Sequence, residues 1–470
     1  MTSKVKIVGP SPSHSGSGLN LQWRLVLAAM LISSIMAWLS IRGIKFPTAL
    51  LGAVLFLGLS YFRLFWALTL MMVYIPFQQA LPQINLGTGI NIFNGLLLAL
   101  ILGWGLSSYR EKRPLIYGLK VNRPILALVV ATLASWFIGI MHPGGFSHGL
   151  GRFVEVYQWL GVMALFYITI STVRTEKQVK FLLAVMGLVT AVMAIDLIRT
   201  HNLLLVTGYS HNLRMGGVFG VGGENDLGAF LAEFSLVLLT LLAISRRFIV
   251  KIYYASIFLL VGLALLYTYS RGAYLGAMAG LLFYAYSKDR RLMIVVAAVL
   301  VTLPLWAPAS VMDRISMTFT DGAMESSASS RFDFWKAGLQ MMLQSPIFGV
   351  GFHRFAEELP RYISDLGSAR TAHNMYVSIG AELGIPGLVA FAWLLSTLFK
   401  EGWQVFREST SSFSRQVARG YLATLVALLV INMFGVRFER VELTGLFWLY
   451  SALVVRLNMD RMMIALDQPA

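Results

Sequence analysis

Residues 226–244 have the sequence DLGAFLAEFSLVLLTLLAI, which is predominantly apolar and is followed by Arg246 and Arg247. A helix needs about 20 predominantly apolar residues to cross the hydrocarbon core of a bilayer. This stretch is long enough to do so, because its few polar side chains do not interrupt the apolar run. The sequence therefore predicts a membrane-spanning helix here.

Similar runs recur from one end of the chain to the other. Some are short and follow each other with almost no loop, so we predict about 12–14 transmembrane helices in all. The candidate spans are 23–40, 47–61, 63–77, 90–107, 124–141, 153–172, 181–198, 226–244, 252–269, 273–287, 292–310, 375–399, 420–436 and 441–456.

The composition excludes an ordinary soluble protein. Of the 470 residues, 57% are hydrophobic and only 13% are charged, whereas roughly 25% of residues are charged in a typical globular domain. Too few charges are present to cover the surface of a soluble protein of this length. Together with the repeated apolar runs, this balance predicts an all-α polytopic membrane protein whose surroundings are the lipid bilayer.

The distribution of basic residues predicts the orientation. The net charge is +16, and Lys and Arg lie in short clusters between apolar runs, as membrane topology demands. This pattern disfavours a nucleic-acid partner, for which a basic face and a recognition motif are typical. With the N-terminus inside, the short inside loops carry most of the basic residues, which predicts that both termini are cytoplasmic. The chain has no cysteine, which excludes disulfides, thiolate catalysis and Cys-ligated metals.

The chain divides into four parts. They are 1–22, a flexible cytoplasmic tail; 23–310, an N-terminal transmembrane helix bundle; 311–374, a long periplasmic loop; and 375–470, the C-terminal transmembrane helices with a cytoplasmic tail. Long connections between closely spaced helices are usually functional or disordered. Within the loop, helical spacing predicts an amphipathic helix over 329–345 near the membrane surface. Its apolar residues are Phe332, Trp335, Leu339 and Met342.

His373, at the end of this loop, is the first candidate for chemistry. A histidine titrates near neutral pH, with an ordinary pKa of about 6.5, so it can take a proton from an attacking hydroxyl. The alternative is that His373 only anchors the start of the helix that follows. The residues by themselves leave both interpretations open.

Three arginines, Arg214, Arg271 and Arg331, are predicted on the outer side of the membrane. A guanidinium stays charged and matches phosphate oxygens in pairs, so three that converge could hold a diphosphate. The alternative is three unrelated arginines at the membrane surface, where such side chains are common. Their shared side of the membrane is the reason to group them.

Four acidic residues lie within or at the ends of predicted spans, namely Glu155, Asp196, Glu233 and Glu382. A charge in such a position is costly and needs a partner or an aqueous cavity. These residues indicate either a proton or ion pathway, as in a transporter, or salt bridges inside the bundle.

A stripe of small residues runs along another predicted span. It consists of Gly272, Gly276 and Gly280, one every four residues. Small residues at this spacing let two helices approach closely, so we predict tight helix packing on this face.

Several short patterns occur in a fixed order over roughly residues 200–400. They are Arg214-x-Gly-Gly followed by Asn225, Ser270-Arg271-Gly272, Arg331-x-x-x-Trp335, Pro346-x-x-Gly349-x-Gly351, His373-Asn374-x-Tyr376 and Glu382-x-Gly384. In this order, and with the long loop that carries the later ones, the chain resembles the O-antigen ligase/polymerase superfamily of bacterial membrane glycosyltransferases. One position departs from the family's pattern, since Glu224 precedes Asn225 where proline is common.

The resemblance implies a metal-independent, inverting glycosyl transfer on the periplasmic face of the bacterial inner membrane, with no cofactor. The donor would be a glycan on a polyprenyl diphosphate, and the acceptor a hydroxyl of lipid A–core, of a glycan or of another molecule. His373 would be the general base, and Glu382 is the second catalytic candidate. Arg214, Arg271 and Arg331 would hold the diphosphate and stabilise the charge of the leaving group.

The resemblance leaves several functions open. A ligase passes the glycan to lipid A–core or to another terminal acceptor, whereas a polymerase joins lipid-linked repeats by the same chemistry. A protein O-oligosaccharyltransferase is a third variant. A transporter belongs to a different class of protein and would depend on the buried carboxylates, such as Glu233 and Asp196, rather than on His373.

Overall fold

The computed structural model describes most of the chain, and helices dominate it. The described residues are 45–81, 91–141, 152–200, 208–220, 222–317, 319–320, 323–324, 326–363 and 371–466. The predicted tail 1–22 and the first predicted span 23–40 lie outside the described residues.

The first half of the described chain is a series of helices. They are α1 (Lys45–Phe62), α2 (Leu64–Phe77), α3 (Ile92–Arg110), α4 (Asn122–Met141), α5 (Phe153–Gly161), α6 (Ala164–Thr172), α7 (Glu176–Thr200), α8 (Glu224–Ile244) and α9 (Phe248–Leu266). Two short 3-10 turns, His211–Leu213 and Gly217–Phe219, lie between α7 and α8.

The second half continues the series and contains the long loop. The helices are α10 (Arg271–Lys288), α11 (Arg290–Val301), α12 (Leu303–Trp306), α13 (Ala309–Ser316), α14 (Ser326–Gln344), α15 (Phe355–Glu358), α16 (Met375–Glu408), α17 (Ser412–Ile431) and α18 (Val441–Leu466). Two-residue strands β1 (Phe319–Thr320) and β2 (Ala323–Met324) pair antiparallel before α14. Further 3-10 turns are Leu359–Arg361 and Arg437–Glu439.

Within these described ranges, eight stretches are long and apolar enough to cross a membrane, judged by length and composition. They are Ile92–Arg110, Asn122–Met141, Phe153–Thr172, Glu176–Thr200, Glu224–Ile244, Phe248–Leu266, Met375–Glu408 and Ser412–Ile431. Two shorter apolar helices, Leu51–Phe62 and Leu64–Phe77, accompany them. The protein is an all-α multi-pass membrane protein, as the sequence predicts.

One predicted span, 292–310, is not a single helix. α11 ends at Val301, and the shorter α12 and α13 follow it. Pro304 lies in the first turn of α12, and Pro308 immediately precedes α13. Proline has no backbone N–H, and its ring clashes with the preceding turn of a helix. The two prolines therefore divide this apolar run into three short helices.

The central helix of the bundle is α8. It packs against α7, α9, α10 and α17, and 78% of its apolar window is buried inside the protein, compared with 17% for α9. On α9 the side chains of Phe248, Ile249 and Leu259 are exposed, which suits helices in contact with lipid, because lipid tails are as apolar as leucine. The apolar stretch 226–244 is therefore both a clear membrane span in the sequence and the helix around which the others pack.

The amphipathic helix predicted in the long loop is α14, which packs against α16. Its buried side chains are Phe334, Ala337 and Met341. The face predicted as apolar is a different one, since Phe332 and Leu339 are 54% and 49% exposed. α14 therefore has one apolar face toward the protein and carries exposed apolar side chains elsewhere.

Three helices, α8, α10 and α16, begin close together at one end of the bundle. A Cβ atom added to Gly228 of α8 would lie 2.9 Å from the Cβ atom of the residue before α10. Met375, the first residue of α16, donates its N–H to the carbonyl oxygen of Asn432 at 2.8 Å, and Phe434 contacts Gly272 of α10. The N-terminus of each of these three helices carries a partial positive charge.

The glycine stripe of α10 lies against α17. A Cβ atom added to Gly276 would lie 2.3 Å from Cγ1 of Ile431, and one added to Gly280 would lie 2.9 Å from the carbonyl oxygen of Ala423. Neither distance leaves room for a methyl group. The close helix packing predicted from the stripe is confirmed.

Replacing Gly276 with alanine should destabilise the bundle. The added methyl group overpacks the contact with α17, which costs about 1–3 kcal/mol in well-packed cores. Thermal unfolding of the detergent-solubilised Gly276→Ala variant should therefore begin at a lower temperature than that of the wild type.

The matched control is Gly262→Ala in α9, where an added Cβ atom has no neighbour within 4 Å. This variant should keep or slightly raise the unfolding temperature, because alanine favours a helix over glycine by up to about 1 kcal/mol. Equal losses in the two variants would contradict the close contact between α10 and α17.

Candidate active site

The five site residues predicted from the sequence come from separate parts of the fold. Arg214 follows the first 3-10 turn, Arg271 is the first residue of α10, and Arg331 lies in α14. His373 lies two residues before α16, and Glu382 lies within that helix. The clustered starts of α8, α10 and α16 are what can bring such distant residues to one place.

His373 stands at the capped start of α16. The Asn374 Oδ1 accepts hydrogen bonds from the N–H groups of Tyr376 and Val377, at 3.0 and 3.2 Å, and so satisfies two donors that the helix leaves unpaired. His373 itself has a φ of 50°, a left-handed conformation that is uncommon outside glycine. The His-Asn-x-Tyr sequence therefore fixes the backbone of His373 at the start of α16, and with it the position from which the imidazole extends.

The His373 imidazole is held in its neutral form. Burial lowers its pKa from the ordinary 6.5 to about 4, and the positive charges of Arg331 and Arg437 act in the same direction. The imidazole is therefore neutral at physiological pH and has a free lone pair. Its ring packs against that of Phe334 in α14, with centroids 6.2 Å apart. One predicted arginine thus lies beside the predicted base.

Arg437, between α17 and α18, is a candidate that sequence reasoning missed. Its guanidinium pairs with the carboxylate of Asp226 in the first turn of α8, and Arg440 Nε lies 3.2 Å from the other oxygen of that carboxylate. The Asn432 Oδ1 accepts the N–H groups of Arg437 and Phe438, at 3.0 and 3.1 Å. The end of α17, the turn after it and the start of α8 therefore form one unit next to His373.

Arg214 is held by an amide and keeps one donor unused. Its Nη2 donates to the Asn225 Oδ1 at 3.0 Å, and Asn225 is the neighbour of Asp226. The Nε of Arg214 is buried and has no hydrogen-bond partner among the described residues. A buried donor without an acceptor is costly, and an anionic ligand can supply that acceptor.

A second arginine that sequence reasoning missed is Arg314 in α13. Its side chain is buried, and its Cζ lies 5.1 Å from the centroid of the Tyr209 ring, within the range of a cation–π contact. The charges of Arg314 and Arg214 both act on the hydroxyl of Tyr274 in α10. The two guanidiniums therefore lie near one hydroxyl group.

Together these side chains form a connected positive region, which we call the arginine set. Burial lowers the pKa of Arg437, and the charges of Arg440 and Arg214 lower it further, against the opposing effect of Asp226. Guanidiniums grouped around helix N-termini favour a phosphate ligand, since both supply N–H donors and positive charge. The members of the set are Arg214, Arg314, Arg331, Arg437 and Arg440. The position of the Arg271 guanidinium beside them stays a prediction.

Glu382 is held by backbone donors. Its Oε2 accepts the N–H of His353 and its Oε1 accepts the N–H of Phe355, both at 3.1 Å. Its carbonyl oxygen accepts the Ser135 hydroxyl at 2.5 Å and the N–H of Gly351 at 3.3 Å. Both carboxylate oxygens are therefore engaged by the segment that follows the Pro-x-x-Gly-x-Gly pattern.

The Pro-x-x-Gly-x-Gly and Glu-x-Gly patterns are two sides of one contact. Gly349 has a φ of 67°, and a Cβ atom at this position would lie 2.3 Å from the main-chain carbon of Glu382. Gly384 has a φ of 70° and interrupts α16, and the N–H of Ile385 after it donates to the carbonyl oxygen of Pro346 at 2.8 Å. Glycine is required because both the backbone angles and the close approach exclude a side chain.

A second histidine, His353, lies beside two carboxylates. Its Nδ1 is 3.6 Å from the Glu155 Oε2, and its Nε2 is 3.8 Å from the Glu439 Oε2. The Ser378 hydroxyl in α16 donates to the Glu439 Oε1 at 3.4 Å. Burial raises the pKa of Glu439, the positive charge of Arg440 opposes this rise, and the negative charge of Glu155 adds to it. Sequence reasoning missed both His353 and Glu439.

The remaining acidic candidates do not share this environment. The Asp196 Oδ1 lies 3.5 Å from the Arg199 Nη2 on the same helix. Glu233 of α8 is fully buried, and neither of its carboxylate oxygens has a hydrogen-bond partner within the part of the chain that the structure describes.

Residues 255–392 match the protein family described as O-Antigen ligase. The matched part contains Arg271, Arg331, His373 and Glu382. No curated protein matches the chain. The fold and the family match indicate a multi-pass membrane enzyme of the glycosyltransferase type. The match confirms the resemblance to the O-antigen ligase superfamily that the ordered motifs predict.

The substitution Glu382→Gln should loosen the segment that Glu382 holds. An amide side chain offers one acceptor oxygen, so one of the two backbone N–H groups loses its partner, at a cost of about 1–3 kcal/mol. Hydrogen exchange, followed by mass spectrometry, should be faster in the peptide that contains His353 and Phe355.

The control for this experiment is Glu408→Gln. The Glu408 carboxylate is 55% exposed and pairs with Arg461, so its loss should have little effect and should leave exchange around His353 unchanged. Wild-type protection in the Glu382→Gln variant would contradict the structural role of Glu382.

Proposed function

We propose that the protein transfers a glycan from a polyprenyl diphosphate to an acceptor hydroxyl, on the periplasmic face of the bacterial inner membrane, with lipid A–core or another terminal acceptor as in an O-antigen ligase. The observation that carries this proposal is the neutral imidazole of His373 beside Arg331 and Arg437. A proton acceptor next to guanidiniums is what transfer from a diphosphate requires. The family match over 255–392 supports the same reaction class.

In the proposed step, the acceptor oxygen attacks the anomeric carbon of the glycan while its proton moves to the His373 imidazole. The bond between the anomeric carbon and the diphosphate oxygen breaks, and the lipid diphosphate leaves with the electron pair. A single displacement of this kind inverts the anomeric configuration. The imidazolium then returns its proton to solvent, which restores the base.

The arginine set would stabilise the leaving group. Negative charge grows on the bridging oxygen of the diphosphate as the bond breaks, so fixed cations at that point bind the transition state more strongly than the ground state. Arg214 contributes a buried Nε donor that has no partner among the residues that the structure describes, and Arg437 is held in place by Asp226. A positioned general base adds roughly 10²–10⁴-fold to the rate.

Glu382 would act by position. Its carboxylate oxygens accept backbone N–H groups, so its contribution is to hold the 349–355 segment against α16. In this proposal His373 is the side chain that takes the proton of the acceptor hydroxyl. We therefore assign the proton transfer to His373 and the support of its surroundings to Glu382.

Replacing His373 with glutamine should abolish transfer, because glutamine has no basic nitrogen to accept the proton. The test is complementation of a deletion strain, with surface and lipid-linked glycans separated by size. Loss of the wild-type gene should leave long glycan on the polyprenyl carrier and bare acceptor, and the His373→Gln variant should give the same pattern at wild-type expression.

The same glycan gel distinguishes the ligase function from the polymerase function. An acceptor that carries single repeats with no ladder would assign the missing step to polymerisation of lipid-linked repeats. Near-normal transfer by a stably expressed His373→Gln variant would rule out His373 as the base. An additional Glu233→Gln variant tests the transporter alternative, which requires this change to be more harmful than the change at His373.

The pH dependence should report the charges around His373. The base works only when neutral, so kcat/KM for the donor should fall with an acid midpoint near pH 4, the pKa of His373 in the structure, rather than near 6.5. Arg331→Gln removes a positive charge that disfavours the imidazolium, so the pKa rises and the midpoint moves to higher pH.

The control for the pH profile is Arg247→Gln, which changes an exposed arginine before α9. It should leave the midpoint where it is in the wild type. An unchanged midpoint in Arg331→Gln would show that Arg331 does not act on the base, whatever its effect on donor binding.

A further inference from the structure

A narrow cavity lies next to the carboxylate of Glu439. It has room for a water-sized group. Its wall is mostly aromatic and apolar, with two polar side chains, and consists of Trp159, Val162, Met163, Phe438, Glu439, Val441, Thr444 and Trp448. A cavity of this size admits one water molecule or one hydroxyl group.

One polar group in this wall has no partner. Trp159 of α5 is 8% exposed, and its indole Nε1 makes no hydrogen bond within the described residues. Buried indole N–H groups usually find an acceptor. The Trp159 ring also packs edge-on against Phe438, with centroids 5.8 Å apart, so its position is fixed. A hydroxyl oxygen in the cavity would give this N–H its acceptor.

The outer rim of the cavity continues into groups that bind hydroxyls. The Glu439 carboxylate lies beside the His353 imidazole, and the other side of that imidazole lies beside the Glu155 carboxylate, at the distances given above. Both His353 and Glu155 are partly exposed, and the neighbouring Phe153 is more than half exposed. Carboxylates accept hydrogen bonds from sugar hydroxyls, and an exposed aromatic ring offers a flat apolar surface for a sugar ring.

This group of residues lies near the base, and it borders the arginine set where the charge of Arg440 acts on Glu439. Ser378, which donates to Glu439, is one helical turn after the Asn374 cap of His373. In the 3-10 turn between α17 and α18, the Arg437 side chain pairs with Asp226, and the Glu439 side chain lies beside His353. The base is thus flanked by a positive region and by a region of carboxylates and imidazole.

We propose that Trp159, His353, Glu155 and Glu439 form the subsite for the acceptor, and that the acceptor is a saccharide with one hydroxyl group in the cavity beside Trp159. This proposal rests on the proposed function, because it assigns the second substrate of the same reaction. A polyol needs hydrogen-bond acceptors and an aromatic surface, whereas the donor diphosphate needs cations. The two regions beside His373 meet these two requirements separately.

The test is Trp159→Phe, which keeps the ring and removes the N–H. The assay uses the purified protein with lipid-linked glycan extracted from the host as donor. The acceptor is lipid A–core, or the lipid-linked glycan itself where repeats are joined. Loss of one hydrogen bond should raise the acceptor KM roughly 3- to 10-fold, with the donor KM and kcat near wild type.

The matched control is Trp104→Phe in α3. Trp104 is equally buried, and its Nε1 likewise has no hydrogen-bond partner in the described chain, but it does not line the cavity. Its acceptor KM should equal that of the wild type. A second variant, Glu439→Gln, removes the carboxylate charge with little change of shape and should also raise the acceptor KM, so it decides the matter if Trp159→Phe does not fold.

Each outcome has a defined meaning. An unchanged acceptor KM in Trp159→Phe and Glu439→Gln, or a rise confined to the donor KM, overturns the acceptor subsite while the proposed transfer stands. Transfer to a serine-containing peptide but to neither saccharide overturns the assignment of a saccharide. If the wild type transfers the glycan to no acceptor at all, the proposed function itself fails.

Discussion

The arrangement of the site depends on the carboxylate of Asp226. It stands in the first turn of the most buried helix and pairs with Arg437 and Arg440, two residues from the turn before the last helix. Burying a charge costs several kcal/mol unless its partners are well placed, so this pairing holds the turn firmly against α8. As a result, a cation from the C-terminal end of the chain lies beside His373.

The surroundings of His373 differ on its two sides for a physical reason. A diphosphate carries charge that must be matched by cations, and it leaves with more negative charge on its bridging oxygen than it brought. A sugar acceptor is neutral and is recognised by hydrogen bonds and apolar contact. In the proposed reaction the base stands where these two environments meet, beside the turn that carries Arg437 and Glu439.

The sequence predicts the helices well, because membrane spanning demands long apolar runs, and it predicts the close packing at Gly276, because small residues have few other uses in a span. It also groups His373 with Arg331, whose charge acts on the imidazole in the structure, whereas their side of the membrane stays a prediction. The sequence does not predict that Asp226 pairs with Arg437, because each acidic residue could pair with any of many distant basic residues. It cannot choose the packed face of α14, because apolar side chains occur on more than one face. Nor does it show that the Glu382 carboxylate accepts backbone N–H groups of the 349–355 segment, because the path of that segment cannot be read from the sequence.

The 211 residues that separate Asp226 from Arg437 have a consequence for biosynthesis. The ribosome makes the chain from its N-terminus, and the early helices enter the membrane while the later ones are still untranslated. Asp226 is therefore in place before its partner exists, and the positive side of the base is completed only when the last helices arrive. A truncated or half-made chain can reside in the membrane without this ion pair, so the proposed centre is complete only after translation has nearly ended.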